Sequence, residues 1–329
     1  MLSLMQARSR VFALCFLVGL IAALGTVLFL PSGGRPAEPA APVSIPPSSA
    51  RSEFTVVAVG DIACSASTRI TRLINVLFSG CKTPEVATLI GRLNPDAFLT
   101  LGDNQYPDGS AVDFTYSYDR YFGAFKSITS PSPGNHDYGT RDAVGYFSYF
   151  GERAGDPAAG YYSRSLGSWL LISLNSNCDG TIDCSPQSPQ VQWLGRVLRE
   201  NTERCILAFW HHPRYSSGAH GGNETVQSFW DVLYQYSADL VLNGHDHTYE
   251  RFAPMNPVGE MDTTGIRQFV VGTGGMTLYG KLRSEPNSEA FENRHFGVLA
   301  LTLMDGTYDW KFISINDSNV IDQGTAHCH

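Results

Sequence analysis

The strongest constraint on the fold is a pattern that recurs along the chain: a strand-length apolar run stops, and residues of metal-binding type follow at once. Residues 54–59 end at Gly60-Asp61, and residues 97–101 end at Gly102-Asp103. A short strand through Pro131 and Pro133 leads into Gly134-Asn135-His136-Asp137. Residues 205–210 run into His211-His212-Pro213, and residues 238–242 into Asn243-Gly244-His245-Asp246-His247. Apolar runs of this length, bounded by turn formers such as Asn-Gly, read as buried strands breaking into turns. Ligand sites of open α/β sheets lie outside the carboxyl ends of strands, so these breaks can converge. Taken singly, Asp61 and Asp103 read as turn residues, and a His-x-His such as His245/His247 as an ordinary surface or core pair. As a set they point to a site.

Between the breaks, helical periodicity covers residues 69–78 and 84–93, the second with Thr83 as its N-cap. Strand, helix and strand then alternate as in a βαβ unit. Residues 113–128, rich in Tyr and Phe, read as helical, and residues 161–175 as two antiparallel strands around Gly167. Residues 189–200 form an amphipathic helix with Val191, Leu194, Val197 and Leu198 on one face; residues 225–236 are helical. Strands are expected at 268–271, 297–303 and 308–315. One domain over residues 53–329, alternating strands and helices and closing on antiparallel strands, accounts for the pattern. A hydrophobic content of 43% in 329 residues is ample for its core. The net charge of -8, with no basic stripe, argues against a nucleic-acid partner.

Arg8 and Arg10 precede an uncharged apolar run of about 20 residues at 11–30, long enough to cross a bilayer. Residues 1–30 are read as an export signal or a retained signal anchor, with no Ala-x-Ala cleavage site behind them. Positive charge ahead of the run places the rest of the chain outside, held to the membrane if the segment is uncleaved. Residues 31–52 are a Pro-rich, semi-rigid linker. Cys15 falls inside the apolar run. Cys64, Cys81, Cys178, Cys184, Cys205 and Cys328 then lie in an oxidising, extracytoplasmic compartment and suit disulfides. Local closure favours Cys64–Cys81 and Cys178–Cys184, leaving Cys205–Cys328; other pairings stay open.

Asp61, Asp103, Asn135, His211, His245 and His247 offer mixed oxygen and nitrogen donors suited to iron, zinc or manganese. More than four donors, one or two from each strand end, favour two adjacent ions over one. Two-metal sites clamp the attacking and leaving oxygens of a displacement at phosphorus. Asp246 reads as a solvated turn residue. His220 reads as a loop residue within possible reach of leaving groups, and His295, His327 and His329 as surface or tail residues. Gly272-Thr273-Gly274-Gly275 lacks the lysine of a phosphate-binding loop and reads as a turn near the site.

In this order the five blocks resemble those of the calcineurin-like metallophosphoesterases. Tyr106, three residues after Asp103, makes the chain look like a purple acid phosphatase. The resemblance implies an α/β (α+β) fold, a four-layer αββα sandwich of two mixed β-sheets flanked by helices. It also implies the short form, without the N-terminal β-sandwich of plant-type relatives. Carried over by position, Fe(III) would take Asp61, Asp103, Tyr106 and His247. A divalent ion (Fe, Zn or Mn) would take Asp103, Asn135, His211 and His245, with Asp103 bridging. His136 would be the acid for the leaving alkoxide, with Asp137 fixing its tautomer; His212 would either face the substrate or hold a structural hydrogen bond. Two positions depart from the pattern. Ala63 stands where purple acid phosphatases have Gly and the wider superfamily has His, and Ala208-Phe209-Trp210-His211 replaces Val-x-x-His. The implied activity is that of an exported acid phosphatase, cleaving small phosphomonoesters by metal-hydroxide attack at phosphorus. The alternatives are a phosphodiesterase on nucleotides or phospholipid headgroups, and a non-catalytic surface binding module.

Overall fold

The computed structural model describes residues 52–65, 80–178 and 180–329. The expected export signal or anchor, Cys15, the linker up to residue 51 and the helix expected at 69–78 lie outside the described residues. No helix among the described residues is long and apolar enough to cross a membrane.

The apolar runs become the centres of two mixed sheets. In the first, β1 (Glu53–Val59), β2 (Ala97–Leu101) and β3 (Thr129–Ser132) pair in parallel. On its other edge β1 pairs antiparallel with β11 (Gly297–Met304), which continues through β12 (Thr307–Ser314) to β13 (Val320–His327). The second sheet holds β4 (Tyr162–Leu166), β5 (Trp169–Ser173), β6 (Cys205–Phe209), β7 (Leu240–Asn243), β8 (Tyr249–Phe252), β9 (Arg267–Val271) and β10 (Ser288–Glu292). Its order is β10-β8-β9-β7-β6-β5-β4, with β5, β6, β7 and β9 parallel. Parallel strands covered on both faces need apolar residues at every position, which is why these strands read as unbroken apolar runs.

Along β6, Cys205, Leu207 and Phe209 face the core shared with the first sheet, while Ile206 and Ala208 face the opposite side. The two-residue period of a strand thus serves two cores. The shared core brings Leu207, Leu242 and Phe269 together with Val56, Leu99 and Leu299, while on the outer face of the first sheet α1 (Thr83–Leu93) adds Val86 and Ile90, and Phe98 packs on Phe122 and Phe125. On the far face of the second sheet, α3 (Pro189–Glu200) and α4 (Gln227–Gln235) contribute Leu194, Leu198, Trp230 and Leu233. The layers run helix, sheet, sheet, helix, as expected.

Local details depart from expectation. Thr83 does not cap α1; it is the first helical residue, and its hydroxyl donates to the Ile62 carbonyl at 3.0 Å while accepting from the Cys64 amide at 3.3 Å. It ties the first loop to the helix. The aromatic stretch is helical from Ala111 but changes winding, with a π turn over Phe114–Tyr118 and a 3-10 turn over Gly123–Ile128. A short helix, α2 (Val144–Phe150), follows. β8, β10 and β13 were not expected.

Three disulfides join Cys64 to Cys81, Cys178 to Cys184, and Cys205 to Cys328. The last spans 123 residues and fixes the C-terminus to the start of β6. Beside it, the His329 amide and Nδ1 lie 3.0 and 2.8 Å from Asp239 Oδ1. That hydrogen bond, against the effect of burial, raises the His329 imidazole above its ordinary value.

Replacing Cys205 and Cys328 by Ser is expected to lower unfolding stability by about 2–4 kcal/mol in denaturant titrations; an unchanged midpoint would count against a stabilising tie. A raised folded-state pKa contributes stability that is full below the unfolded value of about 6.5 and lost as pH rises through the folded value. The stability gap between the wild type and His329→Gln should therefore be widest in mild acid and narrow as pH rises through the raised folded-state value.

Candidate metal centre

Beyond the strand ends the chain folds back sharply. Asp61 (φ 60), Asp103 (φ 47) and His245 (φ 72) all occupy the left-handed region. Non-glycine residues there are uncommon and cluster at functional sites. The ladder between β1 and β2 continues into the loops: the Asp61 amide donates to Gly102 O at 3.1 Å, Ile62 to Asp103 O at 3.0 Å and Ala63 to Asn104 O at 3.1 Å. Close approach also fixes two glycines. A Cβ on Gly134 would stand 2.2 Å from both the amide nitrogen and Oδ1 of Asp103. One on Gly244 would stand 2.6 Å from Leu101 O and 2.7 Å from Asp61 Oδ2.

Two groups of side chains meet at Asp103. In the first, Tyr106 Oη lies 3.0 Å from Asp61 Oδ1, 2.9 Å from Asp103 Oδ2 and 3.1 Å from His247 Nε2. In the second, His211 Nε2 lies 3.3 Å from Asp103 Oδ2, 3.1 Å from Asn135 Oδ1 and 3.2 Å from His245 Nδ1. Carbonyl oxygens orient two of the rings: His211 Nδ1 donates to Leu101 O at 2.9 Å and His247 Nδ1 to Thr277 O at 2.7 Å. Both therefore turn Nε2 towards the other donors, the arrangement that prepares a histidine for a cation. The positive φ at His245 sends it to the second group while His247 goes to the first.

The electrostatics favour added positive charge. Burial alone would raise the Asp103 carboxyl, but His211 and then His136 hold it well below the usual carboxylate range. Burial would lower His211, yet Asp103 and Asp61 raise it to about 9. Burial, then Asp103 and Asp61, push the Tyr106 phenol well above its ordinary value. A field that draws a proton onto a buried imidazole also draws cations, and a highly charged ion among these oxygens would reverse the penalty on a phenolate. Donors about 2.1 Å from one cation at right angles stand about 3 Å apart, close to the separations in both groups. The residues present fit two adjacent ions.

The neighbours sort differently from expectation. His136 is partly exposed, and its Nδ1 lies 2.5 Å from Pro107 O, so a carbonyl sets its tautomer. Asp137 does not touch it: buried, its Oδ2 accepts from the Gly134 and Asn104 amides and from Asn104 Nδ2, clamping the third block to the second. Burial and then Asp103 push Asp137 up to about 6. His212 is buried with Nδ1 2.9 Å from Ser176 Oγ, and its ring sits 4.4 Å from that of His245. It brings a ring nitrogen within 4.8 Å of those of His211 and His245. Burial, then the charge of His211, lowers it to about 3. Asp246 is no solvated turn residue. Fully buried, it accepts from the Ser216 hydroxyl and from the His220 and Gly221 amides at 2.8 and 3.1 Å. It thereby draws exposed His220 to 4.3 Å from the His245 ring. Tyr279, stacked on His247 at 3.9 Å, had no signal in the sequence. Gly272 packs beneath Asp61, where a Cβ would reach Oδ2 at 2.7 Å, so the glycine-rich turn does border the site.

Asp246→Asn places an amide where three donors point. It is expected to cost about 1–3 kcal/mol and to speed hydrogen exchange at the His220 and Gly221 amides; unchanged exchange there would remove the anchoring role.

Residues 54–249 match the calcineurin-like phosphoesterase family. Purple acid phosphatase 15 of Arabidopsis thaliana is 27% identical over 250 residues, 67% of this chain and 44% of that protein. Tartrate-resistant acid phosphatase type 5 of Sus scrofa is 26% identical over 249 residues, 65% of this chain and 68% of that protein. The solved structure of purple acid phosphatase PPD1 from yellow lupin (Lupinus luteus) seeds is similar with a TM-score of 0.69 at 18% identity, covering 84% of this chain and 54% of that one. The chain spans about half the length of the plant relatives, 44% and 43% of two of them. With the family match extending over more than half of its length, from β1 to the start of β8, the chain belongs to the calcineurin-like phosphoesterases and within them is similar to the purple acid phosphatases.

Proposed function

We propose that the chain is an exported acid phosphatase that holds Fe(III) beside a divalent ion (Fe, Zn or Mn) and hydrolyses small phosphomonoesters. The observation that carries this reading is the meeting of two donor groups at one carboxylate, Asp103, with spacings suited to neighbouring cations. Asp61, Asp103, Tyr106 and His247 would hold the trivalent ion. Asp103, Asn135, His211 and His245 would hold the divalent one. When bound, such a pair supplies hydroxide at or below neutral pH and positive charge for the phosphoryl oxygens.

The chain's own residues supply the rest. With Nδ1–H committed to Pro107 O, the His136 ring turns Nε2, the atom that would serve a leaving alkoxide or a phosphoryl oxygen as acid, away from that carbonyl. His212, bonded to Ser176 and kept neutral by burial, steadies the His245 ring. The closely packed phenol of Tyr106 sits where only a strongly acidic cation makes it a ligand. Export agrees with the disulfides, which persist in oxidising compartments. Residues 1–30 and 31–52 would then be the export or anchor segment and the spacer ahead of the catalytic domain.

Purified protein loaded with Fe plus Zn or Mn is expected to bind two ions per chain by elemental analysis. It should turn over an aryl phosphomonoester faster than the matching diester. Bound metal without turnover of either would sink the hydrolase reading, and faster diester cleavage would replace it with a phosphodiesterase. Tyr106→Phe is expected to abolish the visible absorption of the oxidised protein; colour that survives would overturn the phenolate assignment.

A further inference from the structure

We infer that the cavity beside the third block is the subsite for the alcohol half of the substrate, and that this half is a bulky aromatic group. The inference rests on the hydrolase reading above. The cavity has a volume of about 800 Å³, and Tyr138, Val144, Phe147, Pro157 and Ile182 supply its apolar lining. A volume of that order suits an organic ligand rather than a few waters. Aromatic walls favour a flat ring, which they meet stacked or edge-on.

One of its walls, Tyr138, grows out of the third block itself. Tyr138 follows Asn135 by three positions, and its amide lies 3.4 Å from Gly134 O. Its hydroxyl accepts from Asn175 Nδ2 at 2.8 Å, and the next residue, Ser176, holds His212. On the other side the Ile182 amide donates to Asn177 O at 2.9 Å, within the loop closed by Cys178–Cys184. Asp142 (φ 55) and Ala143 (φ 48) are consecutive left-handed residues. This costly backbone turns the chain so that Val144, 56% exposed, stands on the cavity wall. An ethyl group is too small to cover apolar walls around a volume of that order, whereas a naphthyl group has the flat apolar area to meet them.

The test compares 2-(2-naphthyl)ethyl phosphate with ethyl phosphate, whose leaving alkoxides are similar in basicity, on the metal-loaded full chain. kcat/KM should favour the naphthyl ester by on the order of tenfold or more. Val144→Glu and Thr181→Trp, both at exposed wall positions, should bring that ratio near unity while ethyl phosphate changes less than about twofold. Separately, 2-(2-naphthyl)ethanol should bind saturably in a fluorescence titration, and both variants should weaken it. Ethyl phosphate turnover with no naphthyl preference, a ratio untouched by either variant, or no saturable alcohol binding would each overturn the subsite. Alcohol binding that the variants weaken, without turnover of either ester, would keep the cavity as a site for aromatic alcohols while overturning the hydrolase reading and with it the substrate role.

Discussion

The first, third and fourth blocks of the site all lean on Asp103 in the second. One carboxylate oxygen accepts the His136 amide at 2.8 Å; the other faces Tyr106 Oη at 2.9 Å and His211 Nε2 at 3.3 Å. Its backbone amide lies so close to Gly134 that no side chain fits between them. Asp103 therefore connects blocks that lie far apart in the chain, and it does so from a left-handed conformation. The buried charge needs a cationic partner to be tolerable, and His211, raised by Asp103 itself, supplies one within the protein.

Stability and site chemistry pull against each other here. Left-handed Asp61, Asp103 and His245, and two carboxylates beside a phenol, are unfavourable in isolation. What holds them is apolar: β2, β6 and β7 are buried throughout and β1 over its last four residues, and they end at the same edge of the sandwich. Disulfides reinforce the loops nearest the strain. Cys64–Cys81 sits just beyond Asp61, with Thr83 tying the same loop to α1, and Cys178–Cys184 closes the segment after the partner of His212.

The strand centres and the five blocks were legible in the sequence because each depends on local facts: a continuous apolar run, a turn former, a residue type. What the sequence hid depends on partners far along the chain. β8 contains Glu250 and Arg251, charges that argue against a strand, yet Glu250 accepts from the Ser217 amide and Arg251 pairs with Asp322 across the edge of the other sheet. Asp246 looked solvated for the same reason, since only the Ser216–Gly221 loop makes its burial affordable. Asp137 lies beside His136 in sequence but spends its carboxylate on Gly134 and Asn104. Adjacency in sequence carried no information about the contact.

The departure at position 63 and the phenol at position 106 are one structural event. Ala63 is fully buried, and its carbonyl accepts both the Tyr106 amide at 2.8 Å and Gln105 Nε2 at 3.1 Å. That backbone bond carries the β1–β2 ladder beyond the strands and brings the Tyr106 ring over Asp61. A large side chain at 63 would occupy the space into which the second loop folds. An imidazole at the first loop and a phenol at the second would also compete for the same carboxylates, because Tyr106 Oη already stands within 3.1 Å of Asp61, Asp103 and His247. The small residue is thus the condition for the phenol. The contacts at the Ala63 carbonyl, more than the preference of either loop alone, set where the Tyr106 phenol stands.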